Sequence, residues 1–347
     1  MIIANFKKNW FFVGVGFAIC IAFQAPFVGR FIKENYILNI AIFLVFVISG
    51  LELNIKNFIE EINKIKNVPI VLFLSFVMFP VVAYYLAYYA FYMAPELLVG
   101  ASILATAPVT VASGTVLTRL AKGNVSLSLF ICILTNIVAI FTIPFSLNLM
   151  LQSGIRVELP ILDILGELFI FVLIPILLGQ ILKYPFPNIA KKYKKAFSIF
   201  TQCIVLLMIL TTISSSTDRI SAFGVKIIYI ALFILILHML IVVLNYFIAF
   251  FVGYDEASRK ALVLHSSQRS IAVSFVVWDK FFSAVYPMAL ILPITYYITQ
   301  NIVGTFIAGY WGKKMEEKLK KRIEKEELKD GFSSPIRGHF YFDKLKK

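Results

Sequence analysis

The sequence predicts an all-α polytopic membrane protein with ten transmembrane helices. Of its 347 residues, 60% are hydrophobic and only 15% are charged, and the mean hydropathy is +0.87. Apolar runs of roughly 17–28 residues repeat along the chain, and about 20 such residues cross the hydrocarbon core as a helix. Basic residues collect in alternate loops between these runs. The composition excludes a soluble domain, so the net charge of +14 does not indicate a nucleic-acid partner.

Ten segments meet the length requirement for a span. They are residues 9–25, 36–52, 68–93, 95–121, 125–151, 160–182, 197–216, 227–253, 258–279 and 284–311. No small-residue cleavage site follows the first segment, so we interpret it as a span rather than a signal peptide. The sequence thus predicts a membrane domain over residues 1–312 and a basic cytoplasmic tail over residues 313–347.

The distribution of lysine and arginine predicts the orientation of the chain. Fourteen basic residues in the loops and twelve from Lys313 onward fall on one side, and six fall on the other. By the positive-inside rule, both termini are expected in the cytoplasm. The cell (inner) membrane is the expected location.

Splitting the chain after the fifth span gives two halves, residues 9–151 and 160–311. Because five is an odd number, the second half is expected to enter the membrane upside down. Two inverted five-helix repeats are the usual plan of secondary transporters. In each half, the fourth span is the one that contains an interruption.

The first interruption lies in the fourth span. The sequence Thr106-Ala-Pro-Val-Thr-Val-Ala-Ser-Gly-Thr-Val-Leu-Thr118 places Pro108 inside an apolar run, where proline removes a helical hydrogen bond. Hydrocarbon does not tolerate freed backbone groups unless they face protein or a wet cavity. Taken alone, this segment is either a proline kink whose hydroxyls bond their own helix or a binding site.

The second interruption lies in the ninth span. The sequence Ala261-Leu-Val-Leu-His-Ser-Ser-Gln-Arg-Ser-Ile271 places six consecutive polar residues inside an apolar run. Two interrupted segments at corresponding positions of two halves point to a transporter binding site. The pair favours the binding-site interpretation, and we expect the two breaks to meet near mid-membrane.

The candidate substrate- or ion-binding residues are the polar and conformationally unusual residues of these breaks, with two from the fifth span. They are Thr106, Pro108, Thr110, Ser113, Gly114, Thr115, Ser128, Asn136, His265, Ser266, Ser267, Gln268, Arg269 and Ser270. Asn136 also fits a purely structural role, because membrane helices use amides as interhelical hydrogen-bonding groups.

Arg269 is the residue with the highest free-energy cost of insertion into the bilayer. An arginine at a helix centre costs about 2.5–3.5 kcal/mol on insertion scales, so it needs a partner or a wet cavity. Its planar fork suits an anionic substrate. The structural alternative pairs it with Glu167, the one deep carboxylate, or with helix-end carbonyl groups. His238, alone in the eighth span, is predicted to form an interhelical hydrogen bond.

Three stretches resemble the sodium–bile acid symporter superfamily. Residues 46–53, Phe-Val-Ile-Ser-Gly-Leu-Glu-Leu, are similar to the end of that family's second span. Residues 107–115 and 117–128 are similar to its fourth span and the turn that follows it. Residues 266–271, Ser-Ser-Gln-Arg-Ser-Ile, are similar to a divergent branch with a basic residue in this motif. The resemblance implies a panel domain and a core domain, with spans four and nine crossing at their breaks.

The sequence departs from the family pattern at the positions that the resemblance assigns to sodium. Residues 114 and 115 are Gly-Thr where the symporters have a Ser-Asn pair, Leu264 replaces an acidic residue, and Arg269 replaces an asparagine. Ser128 and Gln268 remain as candidate sodium ligands. These departures add a fixed cation to the expected ion site.

The sequence therefore predicts a secondary active transporter of a small organic anion that works by alternating access, with sodium as the implied coupling ion and no other cofactor. The alternative within transport is a proton-coupled or uncoupled carrier in which Arg269 replaces the sodium charge. An alternative from another class is a non-transporting membrane receptor or regulator. No nucleophile–base pair, phosphate loop or metal-ligand cluster indicates an enzyme, and the lipid bilayer is the other expected partner.

Overall fold

The computed structural model describes residues 2–53, 55–64, 66–110, 113–155, 159–224 and 227–329. These residues form helices joined by short turns, and none of them is in a strand. A helix satisfies its backbone hydrogen bonds within one segment, which is the requirement for crossing hydrocarbon. The predicted all-α polytopic membrane protein is confirmed.

The first half of the chain has the following helices: α1 (Ile2–Gln24), α2 (Pro26–Glu34), α3 (Ile37–Glu52), α4 (Ile55–Ile62), α5 (Asn67–Phe73), α6 (Phe79–Phe91), α7 (Pro95–Thr106), α8 (Ser113–Leu120) and α9 (Val125–Ile155). A π-helical turn, Leu74–Met78, joins α5 to α6. The axes of α1 and α2 meet at 96°, with Pro26 at the start of α2. The sequence analysis did not predict α2 as a separate helix.

The second half has the following helices: α10 (Ile161–Leu168), α11 (Ile174–Lys183), α12 (Ile189–Lys192), α13 (Lys194–Ser215), α14 (Thr217–Phe223), α15 (Ile227–Phe251), α16 (Glu256–Ser266), α17 (Ile271–Phe281) and α18 (Ile291–Lys329). A π-helical turn, Phe169–Leu173, joins α10 to α11, and a 3₁₀ turn, Pro287–Leu290, leads into α18. The last helix runs well past residue 312, into the predicted tail.

Six helical rods of the described chain are long and apolar enough to span a bilayer, or seven if the bent α1–α2 pair is one span. The predicted fourth and ninth spans are each divided into two short helices. With a rise of about 1.5 Å per residue, pieces of this length do not cross the hydrocarbon core alone. The count of ten spans therefore stays a prediction.

The two halves repeat the same order of elements. In the first half, α3 is followed by the short helix α4, the rod α5–α6, the broken pair α7–α8 and the long helix α9. In the second half, α13 is followed by the short helix α14, the rod α15, the broken pair α16–α17 and the long helix α18. Each broken pair is thus followed directly by a long unbroken helix.

Helices α3 and α11 pack with their backbones in contact through one glycine on each. A Cβ atom on Gly50 would overlap the carbonyl of Ile176, and a Cβ atom on Gly179 would overlap the carbonyl of Val47. The side chain of Gln180 also donates to the carbonyl of Gly50. Small residues allow this close approach in membranes, where packing must hold the helices together.

We expect Gly179→Ala to lower the melting temperature of the purified protein in detergent. Alanine normally stabilises a helix relative to glycine by about 1 kcal/mol. Here the added methyl group must push α3 away, and overpacking of this kind costs about 1–3 kcal/mol. The control is Gly166→Ala on α10, where a Cβ meets no atom within 4 Å. Equal melting temperatures for the two variants would show that this contact tolerates a side chain.

Candidate functional site

The two helix breaks lie against each other. The Ser270 amide donates to the Pro108 carbonyl at 2.8 Å, which links the two interrupted segments through their backbones. The Ser113 hydroxyl donates to Oε1 of Gln268 at 2.8 Å. The breaks follow Thr106 in α7 and Ser266 in α16. The two interruptions therefore meet, as the sequence analysis expected.

The carbonyl groups freed at the first break accept hydrogen bonds from other helices. The amide of Asn136, on α9, donates to the Val109 carbonyl at 3.2 Å and to the Cys132 carbonyl of its own helix at 2.9 Å. Nε2 of His265, on α16, lies 2.8 Å from the Thr110 carbonyl. Oδ1 of Asn136 is buried with no hydrogen-bond partner. Asn136 therefore makes the hydrogen bonds that the structural role requires, and its Oδ1 has no hydrogen-bond partner.

The second break is held by α18. The side-chain amide of Gln300 accepts from the Arg269 N–H at 2.7 Å and donates to the Arg269 carbonyl at 3.0 Å. The Tyr296 hydroxyl donates to the Ser267 carbonyl at 2.7 Å. Neither residue was predicted from the sequence. The one signal there was a glutamine, Gln300, in an apolar run, and that does not show which group it bonds.

His265 fills a space that exists because residue 114 is glycine. A Cβ atom on Gly114 would overlap the imidazole ring. Because a carbonyl only accepts, Nε2 of His265 donates to Thr110, and in the neutral ring Nδ1 accepts from the Ser128 hydroxyl at 2.6 Å. Thr115 Oγ1 lies 3.4 Å from the same hydroxyl. The ring joins the first break to the end of α16.

The accessible edge of the crossing lies at the start of α8. Ser113 and Thr115 are half-buried, whereas Ser128 and Gln268 are completely buried. The Ser113 hydroxyl also lies 2.6 Å from the Thr110 hydroxyl. Ser113 and Thr115 are therefore the more accessible candidate residues of the first break, whereas Thr110 is buried.

Three of the four remaining candidate hydroxyls form hydrogen bonds with nearby backbone groups. Thr106 donates to the Ser102 carbonyl at 3.0 Å, and Ser267 donates to the Leu264 carbonyl at 3.3 Å. The Ser270 hydroxyl accepts from the Val273 amide at 3.4 Å and so caps α17. The Ser266 hydroxyl is buried without a hydrogen-bond partner. Local structure therefore accounts for three of these four groups.

Arg269 is only 1% exposed, and neutral groups surround its charge. Its Nη1 donates to the Gln268 carbonyl at 3.1 Å, its Nη2 donates to the Ser75 carbonyl at 3.2 Å, and its Cζ lies 3.6 Å from the centre of the Phe79 ring. Among the described residues, no carboxylate lies within ion-pair distance of it. Glu167 pairs instead with Lys280, at 3.4 Å.

The Ser75 carbonyl is free for Arg269 because of the π-helical turn. The Phe79 amide bonds the Leu74 carbonyl rather than that of Ser75. The next residue, Pro80, has no N–H to offer. Helical bonding therefore leaves the Ser75 carbonyl without a backbone donor, and the guanidinium takes that place. Pro80 is the sequence feature that marks this position.

The ends of α8 and α16 are tied together outside the crossing. The Asn124 amide donates to the Ala257 carbonyl at 2.9 Å, and its side chain donates to the Ser258 hydroxyl at 3.2 Å. Asp255 caps α16. Burial acts to raise the pKa of the Asp255 carboxyl, but hydrogen bonds from Ser258 and Ala257 outweigh it and hold that pKa below its ordinary value. The capping carboxylate therefore stays charged at neutral pH.

His238 forms an interhelical hydrogen bond, as predicted. Its Nδ1 lies 3.0 Å from the Tyr296 hydroxyl, and the two rings meet edge to face. Since that hydroxyl donates to Ser267, the His238 ring is the donor to Tyr296. The bond connects α15 to the support of the second break.

We expect Gly114→Ala to lower the melting temperature, because the new methyl group displaces the His265 ring from Ser128 and Thr110. Overpacking costs about 1–3 kcal/mol. The measurement is a double-mutant cycle: the penalty of Gly114→Ala should shrink in a His265→Ala background, where the clash is gone. Gly309→Ala, where a Cβ meets no atom within 4 Å, is the control. A penalty that is the same in both backgrounds would contradict the contact.

Comparison with known proteins identifies the family of this arrangement. A profile of the SBF-like CPA transporter family matches residues 9–313. Sodium/bile acid cotransporter 7 of Xenopus tropicalis is 24% identical over 319 residues, which cover 88% of this chain and 92% of that protein. The sodium-dependent transporter YocS of Bacillus subtilis is 25% identical over 323 residues, or 91% and 95% of the two chains. The probable chloroplastic sodium/metabolite cotransporter BASS4 of Arabidopsis thaliana is 26% identical over 241 residues, or 65% and 55%.

These relatives are transporters and not enzymes, and the resemblance to the sodium–bile acid symporter superfamily is confirmed. The assignment to its divergent branch stays a prediction. The matched region includes both broken helices and the long helices that support them. The chain belongs to the SBF-like CPA transporter family and is a multi-pass membrane transporter.

Proposed function

We propose that the protein is a secondary active transporter of a small organic anion and that its substrate site is the crossing of α7–α8 with α16–α17. The observation that carries the proposal is the convergence of two broken helices and their polar side chains at one place. Paired broken helices form the binding sites of many secondary transporters. Alternating access around this crossing is the mechanism.

The uncompensated charge of Arg269 supports an anionic substrate. The guanidinium is bonded to carbonyl dipoles and covered by an aromatic ring, so its full charge persists inside the protein. In a low-dielectric interior such a field favours a nearby negative charge. The half-buried hydroxyls of Ser113 and Thr115 lie at the accessible edge, where they would turn to donate to a carboxylate or phosphate. Two of the relatives named above are described as cotransporters of bile acids and of metabolites, which supports a small organic molecule as the substrate.

The membrane arrangement belongs to the same proposal. Two inverted five-helix repeats, residues 9–151 and 160–311, are supported by the repeated order of elements in the two halves. The uneven distribution of basic residues supports cytoplasmic termini and a cytoplasmic tail over residues 313–347 in the cell membrane.

We expect Arg269→Ala to abolish uptake of organic anions into vesicles and Arg269→Lys to retain part of it, because lysine keeps the charge but loses the planar fork. The alanine variant also leaves two buried carbonyls short of a donor, at about 1–3 kcal/mol. Uptake is therefore measured per folded protein, alongside the melting temperature. Lys280→Ala is the control, because it removes the cation at the other end of α17, and it should keep uptake. Full uptake by Arg269→Ala would contradict the proposal.

A second candidate concerns the coupling ion. The relatives' names support sodium, with Ser128 and Gln268 as its candidate ligands here. In this chain the Ser128 hydroxyl is bonded to His265, and Oε1 of Gln268 accepts from Ser113. A guanidinium about 4 Å from a sodium ion costs about 4 kcal/mol at an effective dielectric constant of 20. We therefore favour a carrier in which Arg269 replaces the sodium charge and a proton is the coupling ion; an uncoupled carrier, which would not be secondary active, is the alternative.

We expect anion uptake to be the same when potassium replaces sodium at constant ionic strength. A protonophore then separates proton-coupled uptake, which it stops, from uncoupled uptake, which it does not. Vesicles that carry a known sodium-coupled carrier serve as the control for the replacement. A loss of anion uptake when potassium replaces sodium would show that sodium is the coupling ion.

A further inference from the structure

We propose that the groove between α15, α16 and α18 binds the acyl chain of an anionic phospholipid, with Arg259 and Lys314 holding its phosphate. The groove is a cavity of about 440 Å³, and none of its lining residues belongs to the two helix breaks. Ligand pockets commonly measure about 300–1,000 Å³. This site is independent of the proposed transport site.

The lining of the groove fits a hydrocarbon chain. Its floor is made by Val242, Val263 and Ile307, one residue from each of the three helices. Its sides include Phe247 and Phe306, which are 50% and 76% exposed. In a membrane protein, such exposed phenylalanines face lipid, so the groove opens laterally to the bilayer. An apolar lining of this kind offers no hydrogen bonds to a polar solute.

Aromatic residues with a polar edge line the end of the groove nearest the loops. They are Tyr246, Tyr310 and Trp311. Tyr246 lies five residues before the end of α15, and Trp311 lies two residues before the basic run that starts at Lys313. Tyrosine and tryptophan collect at the headgroup level of membranes. This end is on the side that the basic residues assign to the cytoplasm.

Two cations lie over aromatic rings at or next to this end of the groove. The guanidinium of Arg259 lies 5.4 Å from the centre of the Tyr246 ring and 5.0 Å from that of Phe250. The ammonium of Lys314 lies 5.9 Å from the centre of the Tyr310 ring. Neither cation forms an ion pair with any carboxylate in the part of the chain that the structure describes. Nε of Arg259 is buried without a hydrogen-bond partner.

Charge complementarity selects the occupant. An apolar groove that ends in two uncompensated cations at the headgroup level matches a chain that carries a phosphate. Zwitterionic lipid places its own cation beside the phosphate, whereas phosphatidylglycerol does not. A basic residue near an anionic leaflet contributes about 1 kcal/mol, or about fivefold in local affinity.

Trp311 reports on the groove directly. The protein is reconstituted in phosphatidylcholine vesicles that contain a minority of lipid with brominated acyl chains, either phosphatidylglycerol or phosphatidylcholine. Bromine quenches a tryptophan that it touches, and the part of the signal due to Trp311 is taken by difference from a Trp311→Phe variant. We expect stronger quenching of Trp311 by brominated phosphatidylglycerol than by brominated phosphatidylcholine at equal content.

The preference should fall by at least about fivefold when Arg259→Gln and Lys314→Gln are combined. The single variant Lys314→Gln changes only an exposed side chain and should already lower it. The control combines Lys313→Gln with Lys320→Gln, which removes two exposed cations of α18 that do not lie on the groove's rings. Equal quenching by the two lipids in the unmutated protein would overturn the proposal. So would a dimer in native mass spectra with Trp311 shielded from both lipids, since a second copy of the chain would then occupy the groove.

Discussion

Backbone groups released inside the bilayer are the constraint on which the rest of this structure depends. Hydrocarbon cannot solvate the carbonyls at a helix break, and each one left alone costs several kcal/mol. Here the donors come from the long helix that follows each broken pair. Asn136 of α9 bonds the Val109 carbonyl, and Gln300 of α18 bonds both backbone groups of Arg269. The same device in both halves is a physical argument for the proposed repeat, and it makes α9 and α18 the supports of the crossing.

The surroundings of Arg269 obey the same constraint with the roles reversed, because a buried cation needs acceptors where the freed carbonyls need donors. The π-helical turn before Pro80 leaves the Ser75 carbonyl without a helical donor, and the guanidinium needs acceptors that carry no charge of their own. Carbonyl dipoles and the Phe79 ring lower the cost of burying the cation without neutralising it. A carboxylate paired with the guanidinium would have cancelled its positive electrostatic potential. The arrangement therefore keeps a positive charge within the protein, next to Gln268, where the proposed anionic substrate would gain from it.

The sequence was sufficient to predict an all-α polytopic membrane protein and both breaks. Apolar runs, Pro108 and the polar run from His265 to Ser270 are local features, and local features are what periodicity and composition report. The partners of the breaks were not predictable in this way. Gln300, Tyr296 and Ser75 lie far along the chain from the groups they bond, and their roles depend on how helices pack. Similarly, Glu167 is the one deep carboxylate of the sequence, yet the fold places it beside Lys280.

The contact between Gly114 and His265 determines which hydrogen bonds the His265 ring can form in its neutral and its protonated state. An imidazole occupies space that a side chain at position 114 would need, and its Nδ1 accepts a hydrogen bond from the Ser128 hydroxyl. A proton arriving at Nδ1 would turn that acceptor into a donor, and the Ser128 hydroxyl would have to turn toward Thr115, whose oxygen lies 3.4 Å away. The hydrogen bonds can therefore be kept in either state. In a proton-coupled carrier, this arrangement would let His265 gain and lose a proton without leaving a buried donor or acceptor unpaired.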